Sequence, residues 1–115
     1  MAYSGSCHCG AVAFTVDMPL PEKAISCNCS HCRRKGLLLT FMPASSFTLD
    51  KGEDQLDTYL FNKHVIRHRF CRTCGVQPFA EGEKDGAAIR AVNLRCVDEV
   101  DPWTIELQKA DGASY

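Results

Sequence analysis

Ser26-Cys27-Asn28-Cys29-Ser30-His31-Cys32-Arg33-Arg34-Lys35-Gly36 is the stretch that decides how the rest of the chain is read. It sets three thiols as C-x-C-x-x-C and follows them with three cations. Four more thiols stand elsewhere, Cys7 and Cys9 as C-x-C near the N-terminus and Cys71 and Cys74 as C-x-x-C far downstream. Four thiolates close a tetrahedral metal shell, whereas three leave one position open. Cys27 and Cys29 are expected to form an extended pair, with Cys32 one turn beyond. Ser30 is placed to cap a short helical turn through Arg33 and Arg34, which Gly36 would end.

Working outward, the chain has 115 residues, 45% of them hydrophobic, and a formal charge of -1. That length suits one domain spanning residues 1–115. No apolar run approaches the roughly 20 residues of a membrane-spanning helix, so no membrane partner is expected. The segment Met1 to Cys7 has neither a basic region nor an apolar core, and a cytoplasmic location is expected. In that reducing compartment, eight closely spaced cysteines point to metal ligation rather than to disulfides. The near-neutral charge, with no basic tail, argues against nucleic acid. Oligomeric state is left open.

Val12, Phe14 and Val16 alternate with Ala13 and Thr15, the period of a half-buried strand, and Cys7 and Cys9 are expected to feed it in extended form. Further strands are expected over Leu37 to Met42, Phe47 to Leu49, Gln55 to Asn62, Val65 to Cys71 and Ala87 to Cys96. Asn62-Lys63-His64 suggests a hairpin, Glu81 to Gly86 a polar turn, and Trp103 to Tyr115 a weakly patterned tail. Arg67, His68 and Arg69 beside Arg72 read as a solvated basic strand face. The whole is mainly β with little helix.

Cys7, Cys9, Cys71 and Cys74 have the composition of a closed, structural zinc site, with Gly75 free to take the turn after Cys74. Such a site would tie the first strand to a late hairpin and contribute to folding. Cys27, Cys29 and Cys32 would leave a fourth position for water, a substrate thiolate or another side chain. Arg33, Arg34 and Lys35 would offset the negative charge and hold carboxylates of an anionic thiol. Two rivals could close this shell: Cys96, from a distant strand, and His31, from inside the ligand turn. Without either, the site suits a catalytic metal, because catalytic zinc keeps an open position.

Gly5-Ser6-Cys7-His8-Cys9-Gly10-Ala11-Val12, Cys27 to Arg34, Phe70-Cys71-Arg72-Thr73-Cys74-Gly75 and Val92 to Asp98 together resemble the glutathione-dependent formaldehyde-activating enzymes, whose domain also occurs in a vertebrate centromere protein. The resemblance runs from Gly5 to about Asp101. It implies a zinc-containing β-tent of antiparallel sheets and two Zn²⁺ ions. Cys7, Cys9, Cys71 and Cys74 would hold the structural ion, and Cys27, Cys29 and Cys32 the catalytic one. The activity it implies is a carbon–sulfur lyase reaction joining glutathione and formaldehyde as S-hydroxymethylglutathione. Two other functions stand beside it: a non-catalytic carrier of glutathione or a similar small thiol, and a zinc interaction module.

Overall fold

A computed structural model describes residues 1–61 and 65–114. Among the described residues ten strands form two sheets: β1 (Tyr3–Ser6), β2 (Ala13–Val16), β3 (Lys23–Cys27), β4 (Leu39–Pro43), β5 (Phe47–Lys51), β6 (Leu56–Tyr59), β7 (Arg67–Cys71), β8 (Phe79–Lys84), β9 (Ala87–Asn93) and β10 (Glu106–Ala110). The one α-helix among the described residues, α1, is Ser30–Lys35. The small sheet runs β1-β2-β5 and the large one β10-β3-β4-β9-β8-β7-β6. Their pairings are antiparallel except for β10 beside β3, which is parallel. No helix among the described residues is long and apolar enough to cross a membrane.

Because side chains alternate across a strand, the large sheet has two differently used faces. Met42, Val92 and Phe79 face the small sheet and pack with Val12, Phe14 and Val16 in the main core. Phe47 bridges the two sheets, with its ring centroid 5.6 Å from that of Phe14 and 4.7 Å from that of Phe79. The opposite face carries Leu39, Ala91 and Ala80, and on it sits a second cluster with Cys32 and Leu37. One face of the sheet therefore holds the fold together and the other carries α1.

Several local expectations are corrected. Cys7 to Gly10 is a turn rather than an extended entry to the strand, closed by Gly10 N–H donating to Cys7 O at 3.3 Å. Glu81 to Gly86 is mostly strand: β8 and β9 form a hairpin on Asp85-Gly86, both at positive φ, as a two-residue turn of this kind requires. The weakly patterned tail contains β10. Asn62-Lys63-His64, expected as a hairpin, lies outside the described residues. The basic strand face is only partly solvated: Arg67 and Arg72 are exposed, whereas His68 is buried and Glu81 gathers Arg69 at 2.8 Å, with Arg67 at 3.1 Å and Arg90 at 3.3 Å beside it.

Asn93 ties the end of β9 to both cysteine-bearing regions. Its Oδ1 accepts from the N–H of Leu38 at 3.5 Å and of Arg95 at 3.1 Å, and its Nδ2 donates to Gln77 O at 3.0 Å. The side chain is buried, so removing it strands these groups without water to replace it. Asn93→Ala is expected to destabilise the fold by about 2–4 kcal/mol, read as a lower urea midpoint at unchanged slope.

Candidate functional site

Cys7, Cys9, Cys71 and Cys74 bring their sulfurs within 4.8 Å of one another. Two turns achieve this. The β1–β2 turn carries Cys7 and Cys9, and the turn leaving β7 carries Cys71 and Cys74, with Gly75 N–H donating to Cys71 O at 2.8 Å and Gly75 at φ 80°. Tetrahedral zinc–thiolate geometry places sulfurs about 3.8 Å apart. Here Cys7 and Cys9 are separated by 3.7 Å and Cys9 and Cys71 by 3.6 Å. Burial opposes ionisation of Cys74, but the N–H groups of Val76 and Cys9, with the Cys71 and Cys7 thiols, outweigh it and bring the pKa down to about 6. Val12 N–H also approaches Cys7 Sγ at 3.4 Å. The donor set fits a divalent, thiophilic ion.

The second cluster is Cys27, Cys29 and Cys32, with the same 4.8 Å limit on sulfur separations. Cys27 ends β3, Cys29 precedes α1, and Cys32 lies in its first turn. The helix cap is Cys29 rather than Ser30: its sulfur accepts from Cys32 N–H at 3.2 Å. A sulfur that caps a helix gains a fixed hydrogen bond and the positive end of the local dipoles, both of which favour thiolate. Burial works against Cys29, yet the N–H groups of Cys32 and His31 and the neighbouring thiols hold its pKa below the ordinary thiol value. Cys32 moves the other way, raised by burial and then by Cys29 and Cys27. Gly36 ends the helix at φ 68°, as its sequence position suggested.

α1 separates two cavities, because residues 30, 31, 34 and 35 lie on one side of it and 29, 32, 33 and 36 on the other. The thiol side opens into a cavity of ≈ 690 Å³ lined by Cys27, Cys32, Arg33, Arg95, Lys109 and Asp111, among others. The three cations of the motif therefore part company. Arg33 lines the thiol cavity. Arg34 Nη1 donates to Ser30 O at 3.0 Å, and Lys35 Nζ donates to Gln77 Oε1 at 2.9 Å while lying 5.2 Å from the Phe70 ring centroid. Arg95 and Lys109 take places beside Arg33 that the sequence did not mark. Arg95 arrives through β9 and holds Gly36 O at 2.8 Å, and Lys109 through β10.

Neither rival ligand joins the three thiols. Cys96 is buried outside both clusters, its sulfur 3.8 Å from the Gln77 carbonyl oxygen. Burial, then the charges of Cys7 and Cys74, raises its pKa to about 12. His31 turns away and packs against His68, Phe61 and Tyr59, with centroid separations of 4.2, 5.1 and 5.6 Å. Both nitrogens of His31 and Nδ1 of His68 are buried without a hydrogen-bond partner among the described residues. Such groups cost about 1–3 kcal/mol each, so this seam is held by the packing around it. Burial, then His31 and Lys35, lowers the His68 pKa to about 4, which leaves that ring neutral at pH 7.

A family described as glutathione-dependent formaldehyde-activating enzyme matches residues 2–109. A crystal structure of a Rhodobacter sphaeroides protein, a structural-genomics target, is similar with a TM-score of 0.78 and 29% sequence identity. The match covers 91% of this chain and 99% of that one.

Proposed function

The chain belongs to the glutathione-dependent formaldehyde-activating enzyme family, and from that premise we propose that it joins a small anionic thiol, glutathione or a near relative, to an aldehyde as a zinc-dependent carbon–sulfur lyase. The observation that carries this is the contrast between the clusters: four convergent sulfurs between the sheets, three beside a cation-lined cavity. Cys7, Cys9, Cys71 and Cys74 would hold a structural zinc, and Cys27, Cys29 and Cys32 a second one. The chemistry a zinc ion supplies at three thiolates is to acidify a thiol entering the fourth position.

The chain's own residues do the rest. The N–H of Cys32 holds the Cys29 sulfur in place, and Arg33, Arg95 and Lys109 supply the positive charge that the carboxylates of glutathione would meet. The thiol gives up its proton to water, its sulfur adds to the aldehyde carbon as the carbonyl π bond opens onto oxygen, and that oxygen takes a proton back from water. Arg33→Ala is expected to weaken glutathione binding about tenfold, because a charge-assisted hydrogen bond contributes roughly 1.5–3 kcal/mol. Calorimetric titration of the zinc-loaded protein measures this.

A second function, a thiol carrier without turnover, draws on a different observation. The one carboxylate lining the thiol cavity among the described residues, Asp111, is engaged by Asn28 at 3.0 Å and Ser114 at 2.6 Å. No free general base stands there among the described residues. Exchange between glutathione, formaldehyde and S-hydroxymethylglutathione, followed by NMR, separates the two: the lyase accelerates exchange, and the carrier binds glutathione at an unchanged rate.

A further inference from the structure

We propose that Asp111–Ser114 is a strap that decides which thiols reach Cys27, with Asn28 as its latch and Gly112 as its seat. β10 runs parallel to β3 and delivers the chain directly over the C-x-C turn, where Asn28 N–H donates to Ala110 O at 3.1 Å. The Asn28 side chain, standing between two of the cysteines, then grips the strap twice. Its Nδ2 donates to Asp111 Oδ1 at 3.0 Å and its Oδ1 accepts from Ala113 N–H at 2.9 Å. Ser114 Oγ donates to the other Asp111 oxygen at 2.6 Å and folds the strap onto itself.

Between these grips Gly112 rests on the thiols. A Cβ at that position would collide with Cys27 Sγ and come within 3.1 Å of Cys29 Cβ, so a residue with any side chain would push the strap off. The strap lies past residue 109, where the family match ends. Its contacts are exposed hydrogen bonds and a glycine seat on the half-buried Cys27 and Cys29, which is the make-up of a segment that opens locally at small cost. A compact reagent reaches Cys27 along the open side of the cavity, whereas a tripeptide-sized thiol needs the strap lifted. What passes beneath the strap depends on the thiol-binding function proposed above; the cover over Cys27 does not.

The test is the rate of Cys27 alkylation by iodoacetamide and by the bulkier fluorescein maleimide, read by peptide mapping on the purified full-length protein with its zinc content recorded. Asp111→Ala, at an exposed position, and Gly112→Val, which displaces the seat, free the strap by different routes. Each is expected to raise the maleimide rate at Cys27 about tenfold, the loss of one to two hydrogen bonds, with a smaller gain for iodoacetamide. The rates of the same two reagents with free N-acetylcysteine serve as the reference. Unchanged maleimide rates at Cys27 in both variants would overturn the proposal. Absence of zinc with the strap effect intact would instead count against the metal chemistry alone.

Discussion

Cys71→Ser is expected to lower stability by on the order of 5 kcal/mol or more, enough to unfold much of the protein at 37 °C. Cys71 is fully buried at the end of β7, and its sulfur lies 3.6 Å from that of Cys9. It therefore joins the hairpin of the small sheet to a strand of the large one, across 62 positions of sequence. Metal binding across such a span is realised only in the folded chain, so its free energy counts toward folding. Serine is a poorer ligand and leaves three sulfurs crowded without the ion's charge. Thermal melting of variant and parent, with metal analysis of each, measures the effect. Cys96→Ser is the control: also buried but in neither cluster, it is expected to cost about 1–2 kcal/mol and leave metal content unchanged. Equal losses from the two variants would contradict the staple.

Cys32→Ser is expected to reverse that pattern, with a large loss of function and a small loss of stability. The trio lies within one short local segment. Closing a loop of a few residues rather than some sixty relieves roughly 2 kcal/mol less unfolded-chain entropy. Stability should fall by only about 1–2 kcal/mol, including any disturbance of the Cys29 cap. One metal ion should be lost while the other stays. Glutathione binding and any glutathione–formaldehyde exchange should drop at least about 100-fold, since an open-shell site with two remaining ligands no longer holds its ion. Metal content, titration with glutathione and exchange rates on one preparation check all three. A variant that keeps both ions and full glutathione affinity would remove the trio from the site.

The local chemistry of the chain was legible in its sequence where spacing alone decides geometry. The C-x-C and C-x-x-C spacings marked the trio and the two local pairs, whereas the union of Cys7 and Cys9 with Cys71 and Cys74 rested on composition and the family resemblance; Gly36 and Gly75 adopt the positive φ their positions suggested. Cys29 as the helix cap was not anticipated, because sulfur takes the place ordinarily filled by a hydroxyl such as that of Ser30. Asp85-Gly86 carried a plain hairpin signal, but the charges of Glu81, Glu83 and Lys84 masked the strand leading into it. Glu81 lies in that strand because three arginines neutralise it, a fact no local window contains.

What sequence could not supply were the partners brought in by distant pairing. β10 has exposed residues at four of its five positions and therefore no alternation to betray it; it is a strand because β3 offers it an edge. Lys109, Asp111 and Gly112 reach the thiols through that one pairing, and Arg95 through the turn after β9. Asn28 was the available hint: an amide between two clustered cysteines is well placed to hold something against them.

The most direct measurement is zinc stoichiometry with sulfur coordination by X-ray absorption on protein purified without added metal, before and after glutathione. Two zinc ions per chain are expected, one with four sulfurs and one with three sulfurs and a lighter atom, the second gaining a sulfur or leaving when glutathione is added. Two ions each with four sulfurs and indifferent to glutathione, or a single ion confined to the four-cysteine cluster, would contradict an open thiol-binding centre at Cys27, Cys29 and Cys32.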